Sequence, residues 1–153
     1  MTPPGPSLPA AAQPGPVPSP LLAMRAALIA RFSTDAALAR LMGGSVRLYD
    51  EPPSGAPPVY AMFGNAEIRD DAVDGARRHQ HSHDLVVFAR PGSVRTALDA
   101  AERMTALVED PAFALSGHVL VTLRVLALSA RRDERSGEAR ATLTLQAVTE
   151  TLA

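Results

Sequence analysis

The sequence predicts an α+β fold: an antiparallel or mixed β-sheet with helices packed mainly on one face and a long C-terminal β-hairpin. Three observations carry this. Two helical patterns precede the first strand, and a single amphipathic helix, Val94–Val108, interrupts the strands that follow. Two alternating segments, His118–Ala130 and Ala139–Thr149, flank a short charged connection, as in a hairpin. The order α-α-β-β-β-α-β-β then favours one sheet with its helices on one side.

The elements follow in chain order. Met1–Pro20 carries eight of the 14 prolines and no ionisable side chain, so it reads as a flexible Pro-rich arm, and residues 21–153 as a single domain. Pro20 suits the first turn of a helix reaching Arg31 or Phe32, with Leu21, Met24, Leu28 and Phe32 on one face. Arg25 shares that sector, either as a snorkelling side chain or as a subunit contact. Ser33-Thr34-Asp35 offers N-caps to a second helix, Ala36–Met42, which Gly43-Gly44 stops. Val46–Tyr49 is a short strand, and Val59 to about Ile68 a longer one. Arg69–His79 reads as an exposed polar loop, and His81–Arg90 as a strand ended by Pro91-Gly92.

In the Val94 helix, which Ser93 caps, Asp99 and Arg103 form an i,i+4 pair. Beyond the breaker Glu109-Asp110-Pro111, strict alternation puts Val119, Val121, Leu123, Val125 and Ala127 on one face and Leu120, Thr122, Arg124, Leu126 and Leu128 on the other. The return strand alternates Ala141, Leu143, Leu145, Ala147 against Arg140, Thr142, Thr144, Gln146.

Composition excludes several functions. The 153 residues contain no cysteine, which removes disulfides, thiolate metal sites and a cysteine nucleophile. A net charge of −1 argues against a bulk nucleic-acid or polybasic membrane binder, and no apolar run reaches a membrane span. No P-loop, dinucleotide fingerprint or G-x-S-x-G is present, and Ser82-His83-Asp84 and Ser116-Gly117-His118 lack triad geometry. We therefore assign no catalytic residue, cofactor or metal. His79, His81 and His83 would share a strand face and could approach Zn²⁺, but a fourth ligand is missing because Asp84 points the other way. A small His-based metal-binding module or enzyme stays open as an alternative. Asp70, Asp71 and Asp74 read as a solvated face.

Self-association is expected. With helices on one side, the other face keeps Leu120, Leu126, Leu128 and either Val86/Phe88 or Leu85/Val87, a patch of interface size. The competing arrangement places the first helix over one face and the Val94 helix over the other. Arg131, Arg132, Asp133, Glu134 and Arg135 form a solvated turn, a projecting finger that meets a partner by Arg–carboxylate pairs, or a nucleic-acid finger, the last lacking aromatics for stacking and a net positive field.

Arg25–Arg31, Ala36–Gly43, Val46–Pro52, the Val94 helix, Leu115–Arg124 and Arg131–Asp133, taken in that order, resemble the tail-terminator (tail-completion) proteins of tailed phages and gene transfer agents. The resemblance implies a structural virion protein, made in the bacterial cytoplasm and placed at the neck end of the tail. It implies a homo-hexameric ring that stops the tail tube protein and meets a head-side connector or stopper protein. DNA would pass its lumen without sequence-specific binding, and no membrane is involved. Another neck or head-completion component is the near alternative. By analogy, we expect partner contacts on two loops, through Asp70, Asp71, Arg77 and Arg78 on one and Arg131, Arg132 and Arg135 on the other. Replacing Arg131, Arg132 and Arg135 with Ala should leave the fold intact and abolish tail–head joining, scored by electron microscopy; normal particles from that variant would remove the assignment.

Overall fold

The computed structural model describes residue 5 and residues 17–51, 53–55, 57–72, 75, 77–90, 94–109 and 113–152. Most of the predicted arm, the Ser93 cap, Pro91-Gly92, Asp110-Pro111 and Asp74 lie outside these residues. The elements are α1 (Pro20–Ser33), α2 (Ala36–Leu41), β1 (Leu48–Tyr49), β2 (Val59–Asp70), β3 (Arg78–Ala89), α3 (Val94–Glu109), β4 (His118–Arg132) and β5 (Ala139–Thr151). The five strands form one mixed sheet in the order β1-β2-β3-β5-β4, antiparallel except for the short β1–β2 pair. The helices sit on one side of it, so the α+β class stands as predicted.

Period-two alternation decides which face is covered. Odd-numbered residues of β3 and β5 are buried from His81 to Ala89 and from Ala139 to Thr149, while their even neighbours are only half-buried. Met24, Leu28 and Phe32 of α1, Leu38 of α2, and Ala97, Ala101 and Met104 of α3 pack on those odd residues in a single core. Small alanines on both α3 and β5 let that helix lie close to the sheet. The alternative with a helix on each face is thereby excluded.

Local chemistry fixes the helix ends. The Ser19 hydroxyl accepts from the Leu22 amide at 3.1 Å, with Pro20 in the first turn of α1. Of the three candidates before α2, Asp35 is the cap: its carboxylate accepts from the Leu38 amide at 2.8 Å. Gly43 then ends the segment with φ 97°, where a side chain would be strained.

Three expectations are corrected. Arg103 does not pair with Asp99; its guanidinium reaches Asp35 in a fork, with Nε and Nη2 donating at 2.8 and 2.7 Å, and Asp99 faces Arg95 at 3.8 Å instead. A geometrically matched bidentate pair between elements outcompetes a local one on a mobile helix face. The predicted polar loop at Arg69–His79 is shorter than expected at both ends, because β2 runs to Asp70 and β3 starts at Arg78, with Asp70 opposite His79. β4 is interrupted by bulges between Leu120 and Thr122 and between Val125 and Ala127. Each bulge flips the alternation, so Leu120, Leu123, Val125 and Leu128 all face the helices.

Asp35 therefore ties α2 to α3. The Arg103 hydrogen bonds, then the Leu38 amide and the charges of Arg103 and Arg31, hold its carboxyl down at about 2 against the burial that opposes them. A depressed acid contributes stability that is complete above its ordinary value of 3.8 and lost as pH falls through about 2. Asp35→Ala should cost roughly 0.5–2 kcal/mol in urea unfolding at pH 7, and the difference from the parent chain should shrink below pH 3.8. A penalty that does not change with pH would mean the ion pair contributes nothing.

Candidate functional site

Three regions bear on function: a cluster of histidines, the open face of the sheet, and the sheet's two ends. His79, His81 and His83 occupy alternate positions on one face of β3 as predicted, and that face is the one under the helices, but they do not assemble a ligand set. His81 and His83 are each 1% exposed, and His81 Nδ1 lies 2.7 Å from His83 Nε2, so one ring donates to the other. The fourth histidine, His118, donates from Nε2 to the Pro18 carbonyl at 2.7 Å and accepts from the Thr151 hydroxyl at Nδ1. Among the described residues, no group of three or more His, Cys, Asp or Glu is placed to hold a metal ion. The triad-like runs are also dispersed. Ser82 and Asp84 lie on the open face and His83 on the covered one, and Asp84 accepts from the Thr144 hydroxyl.

Burial pushes His81 down to about 4, helped by the neighbouring His83, His79 and His118. It does the same to His83, with Arg25 adding to the effect. Every charged or titratable group credited with moving this pair is a cation or becomes one, so the pair is held neutral.

The open face is not a continuous apolar patch. At one end, Tyr60 stacks on Phe88 at 5.0 Å and 18°, Tyr49 tilts against Tyr60, and the Arg140 guanidinium lies 5.3 Å from the Phe88 ring centroid. The middle is polar, where Arg124 donates twice to Gln146 Oε1. Of the three leucines expected there, only Leu126 is exposed, at 50%; the bulges put Leu120 and Leu128 partly buried against the core. Val119 and Val121, expected on the opposite face, are exposed instead. Arg25 is used within the chain, donating to Asp50 and lying over Phe63, which leaves it little to offer a subunit contact.

The register separates the two charged loops. Val59, Ala89, Ala139 and Arg132 align at one end of the sheet, and Asp70, His79, Thr149 and Leu120 at the other. Ala139 and Thr149 lie ten residues apart on β5, so these ends are about 33 Å apart at ~3.3 Å per residue. Arg131, Arg132 and Arg135 are exposed at the first end. At the second, Arg78 donates through Nε and Nη2 to Glu150, which staples β3 to β5 and spends its charge. Asp70 accepts from the Ala72 amide, Asp71 is half-buried and Arg77 is exposed.

Sequence reasoning missed Arg140 and the sheet's open edges. β4 has β5 on one side and, among the described residues, no strand on the other. β1 pairs β2 only at Ala61 and Met62, so residues 64–70 of β2 form a second open edge with every side chain exposed. The strict alternation of β5 was a usable signal for Arg140, since it places that residue on the open face with Thr142 and Thr144.

The family described as Tail completion protein gp17 matches residues 26–150. A chain of the solved structure titled "Virion of native gene transfer agent (GTA) particle" superposes with TM-score 0.77 at 26% identity, covering 85% of this chain and 96% of that one. Comparison with curated proteins found no match.

The histidine pair yields a test. A buried histidine with a depressed value contributes stability that is complete above 6.5 and lost as pH falls from 6.5 through about 4. Replacing both rings at once removes donor and acceptor together, so His81→Leu with His83→Leu should fold nearly as stably at pH 7. The unfolding free energy of that variant should vary less between pH 6.5 and 4 than the parent's, by urea titration across that window. An unchanged pH slope would mean that other groups carry it.

Proposed function

The chain belongs to the Tail completion protein gp17 family, and on that premise we propose that it is a ring subunit at the neck of a phage-like particle, closing the tail tube and meeting the head-side connector. The observation that carries this is the pair of open edges on one sheet. Backbone amides and carbonyls on such edges seek a partner strand. Here Val121 and Leu126 are exposed on β4, and Ile68 on the free half of β2. Two different edges on one protomer suit a heterologous contact, in which β4 of one copy meets β2 of the next. Such contacts either close into a ring or run on as a filament, and a tail completion role needs closure.

The separation of the charged ends supports the same reading. A subunit standing between a tube and a connector needs two contact surfaces facing away from each other, and these ends lie at opposite limits of the strands. A near-neutral charge suits a wall past which DNA slides without being held. The particle at issue is a virion of the gene transfer agent or tailed-phage kind, and the role is structural, with no reaction chemistry assigned to any residue.

The edge contact is testable. Val121→Lys with Leu126→Lys leaves the core untouched and puts charge on the open strand, so the purified variant should fold but stay monomeric by light scattering in the presence of tail tubes. Particles made with it should lack joined heads. Joined heads in normal number would sink the β4 edge as the contact, and a tagged subunit found anywhere but the neck would sink the ring reading itself.

A further inference from the structure

We propose that the β4–β5 turn is a docking surface for an acidic polypeptide segment of another protein, gripped by Arg131, Arg132, Arg135 and Arg140. This deepens the neck reading by naming the chemistry of one contact. Arg131 lies directly opposite Arg140 across the β4–β5 ladder, and like charges in that position destabilise an antiparallel pair. Arg140 is only partly compensated. Its Nε lies 3.5 Å from Glu138, and that buried nitrogen donates no hydrogen bond. Among the described residues, Arg131, Arg132 and Arg135 make no ion pair.

The neighbouring acids do not relieve them. Asp133 is spent on its own turn, accepting from the Ser136 hydroxyl at 2.7 Å and from the Arg135 amide. Glu138 is shared with Arg140, which leaves exposed Glu134. The arginines border an open cleft of about 400 Å³ between the turn and Arg140. An incoming carboxylate can take two N–H groups of a guanidinium fork and cancel the Arg131–Arg140 repulsion in the same step.

Charge complementarity thus fits an acidic partner, and two features favour a polypeptide over nucleic acid. Asp133 and Glu134 border the same cleft and would repel an unbroken row of phosphates, whereas a peptide can space its carboxylates around them. The nearby rings are also engaged, Phe88 with Tyr60 and Arg140, and Tyr60 with Tyr49 as well, which leaves no free stacking platform for bases.

The test uses the full chain in solution and needs no particle, so it can fail while the neck reading stands, and the reverse. Fluorescence anisotropy would measure binding of a labelled oligo-glutamate peptide and of a short DNA duplex at two salt concentrations. The peptide should bind. Arg131→Glu, Arg132→Glu and Arg135→Glu together should weaken it by about tenfold or more, the scale of losing charge-assisted pairs, with the thermal unfolding midpoint showing that the variant folds. The triple Arg→Lys variant keeps the charge and loses the fork, so it should bind between the two. Equal affinity of the lysine variant and the parent, tighter binding of duplex DNA than peptide, or no effect of the reversal would each overturn the proposal. So would end-to-end stacking of the protein on itself in sedimentation, abolished by the same reversal.

Discussion

The inward column of β5 sets the rest of the molecule. Ala139, Ala141, Leu143, Leu145, Ala147 and Thr149 are buried without exception, and β5 is the strand to which both β3 and β4 pair. Because a strand presents alternate residues to alternate faces, fixing this column under the helices fixes what its even residues must do. Arg140, Thr142, Thr144 and Gln146 are placed on the uncovered face whatever their own preferences. The side chains of β3 follow through register, with His81 and His83 carried inward beside Ala147 and Leu145.

Burial carried out in this way has a chemical consequence for the histidines. Two imidazoles drawn under the helices must either find partners or carry a large desolvation penalty, and they find each other. With Arg25, His79 and His118 nearby, proton gain has little to stabilise it, and the pair stays neutral. A cluster that looks chemical in the sequence is therefore packed as structure: one nitrogen of each ring is spent on the other, while His81 Nε2 and His83 Nδ1 stay buried without a hydrogen-bond partner.

The edges are the counterpart of that central strand. A sheet whose middle is this well specified still ends somewhere, and here it ends on β4 and on the free half of β2. The two bulges in β4 turn Leu120, Leu123, Val125 and Leu128 toward the helices while Val121 and Leu126 are left at the surface. The same device that completes the core thus decorates the edge with apolar side chains, joining folding to assembly in one strand.

The element types and order, the capping segment before α2, the alternation of β5 and the helix face of α3 were all legible in the sequence. They depend on local propensity and on period, which are written into consecutive residues. The β4 bulges were not legible, since a bulge is a compromise between a strand and its neighbour and leaves the strand's own pattern looking regular. For the same reason the leucine patch was placed partly on the wrong face, and the largely polar Arg69–His79 segment concealed two paired strand ends. The fork between Asp35 and Arg103 depends on α2 lying against α3, and the opposition of Arg131 and Arg140 on the register of β4 with β5. By itself, the sequence determined what each segment is. Only the tertiary structure decided which charges meet, which nitrogens are satisfied and which edges stay open, because those are properties of distances between residues far apart in the chain.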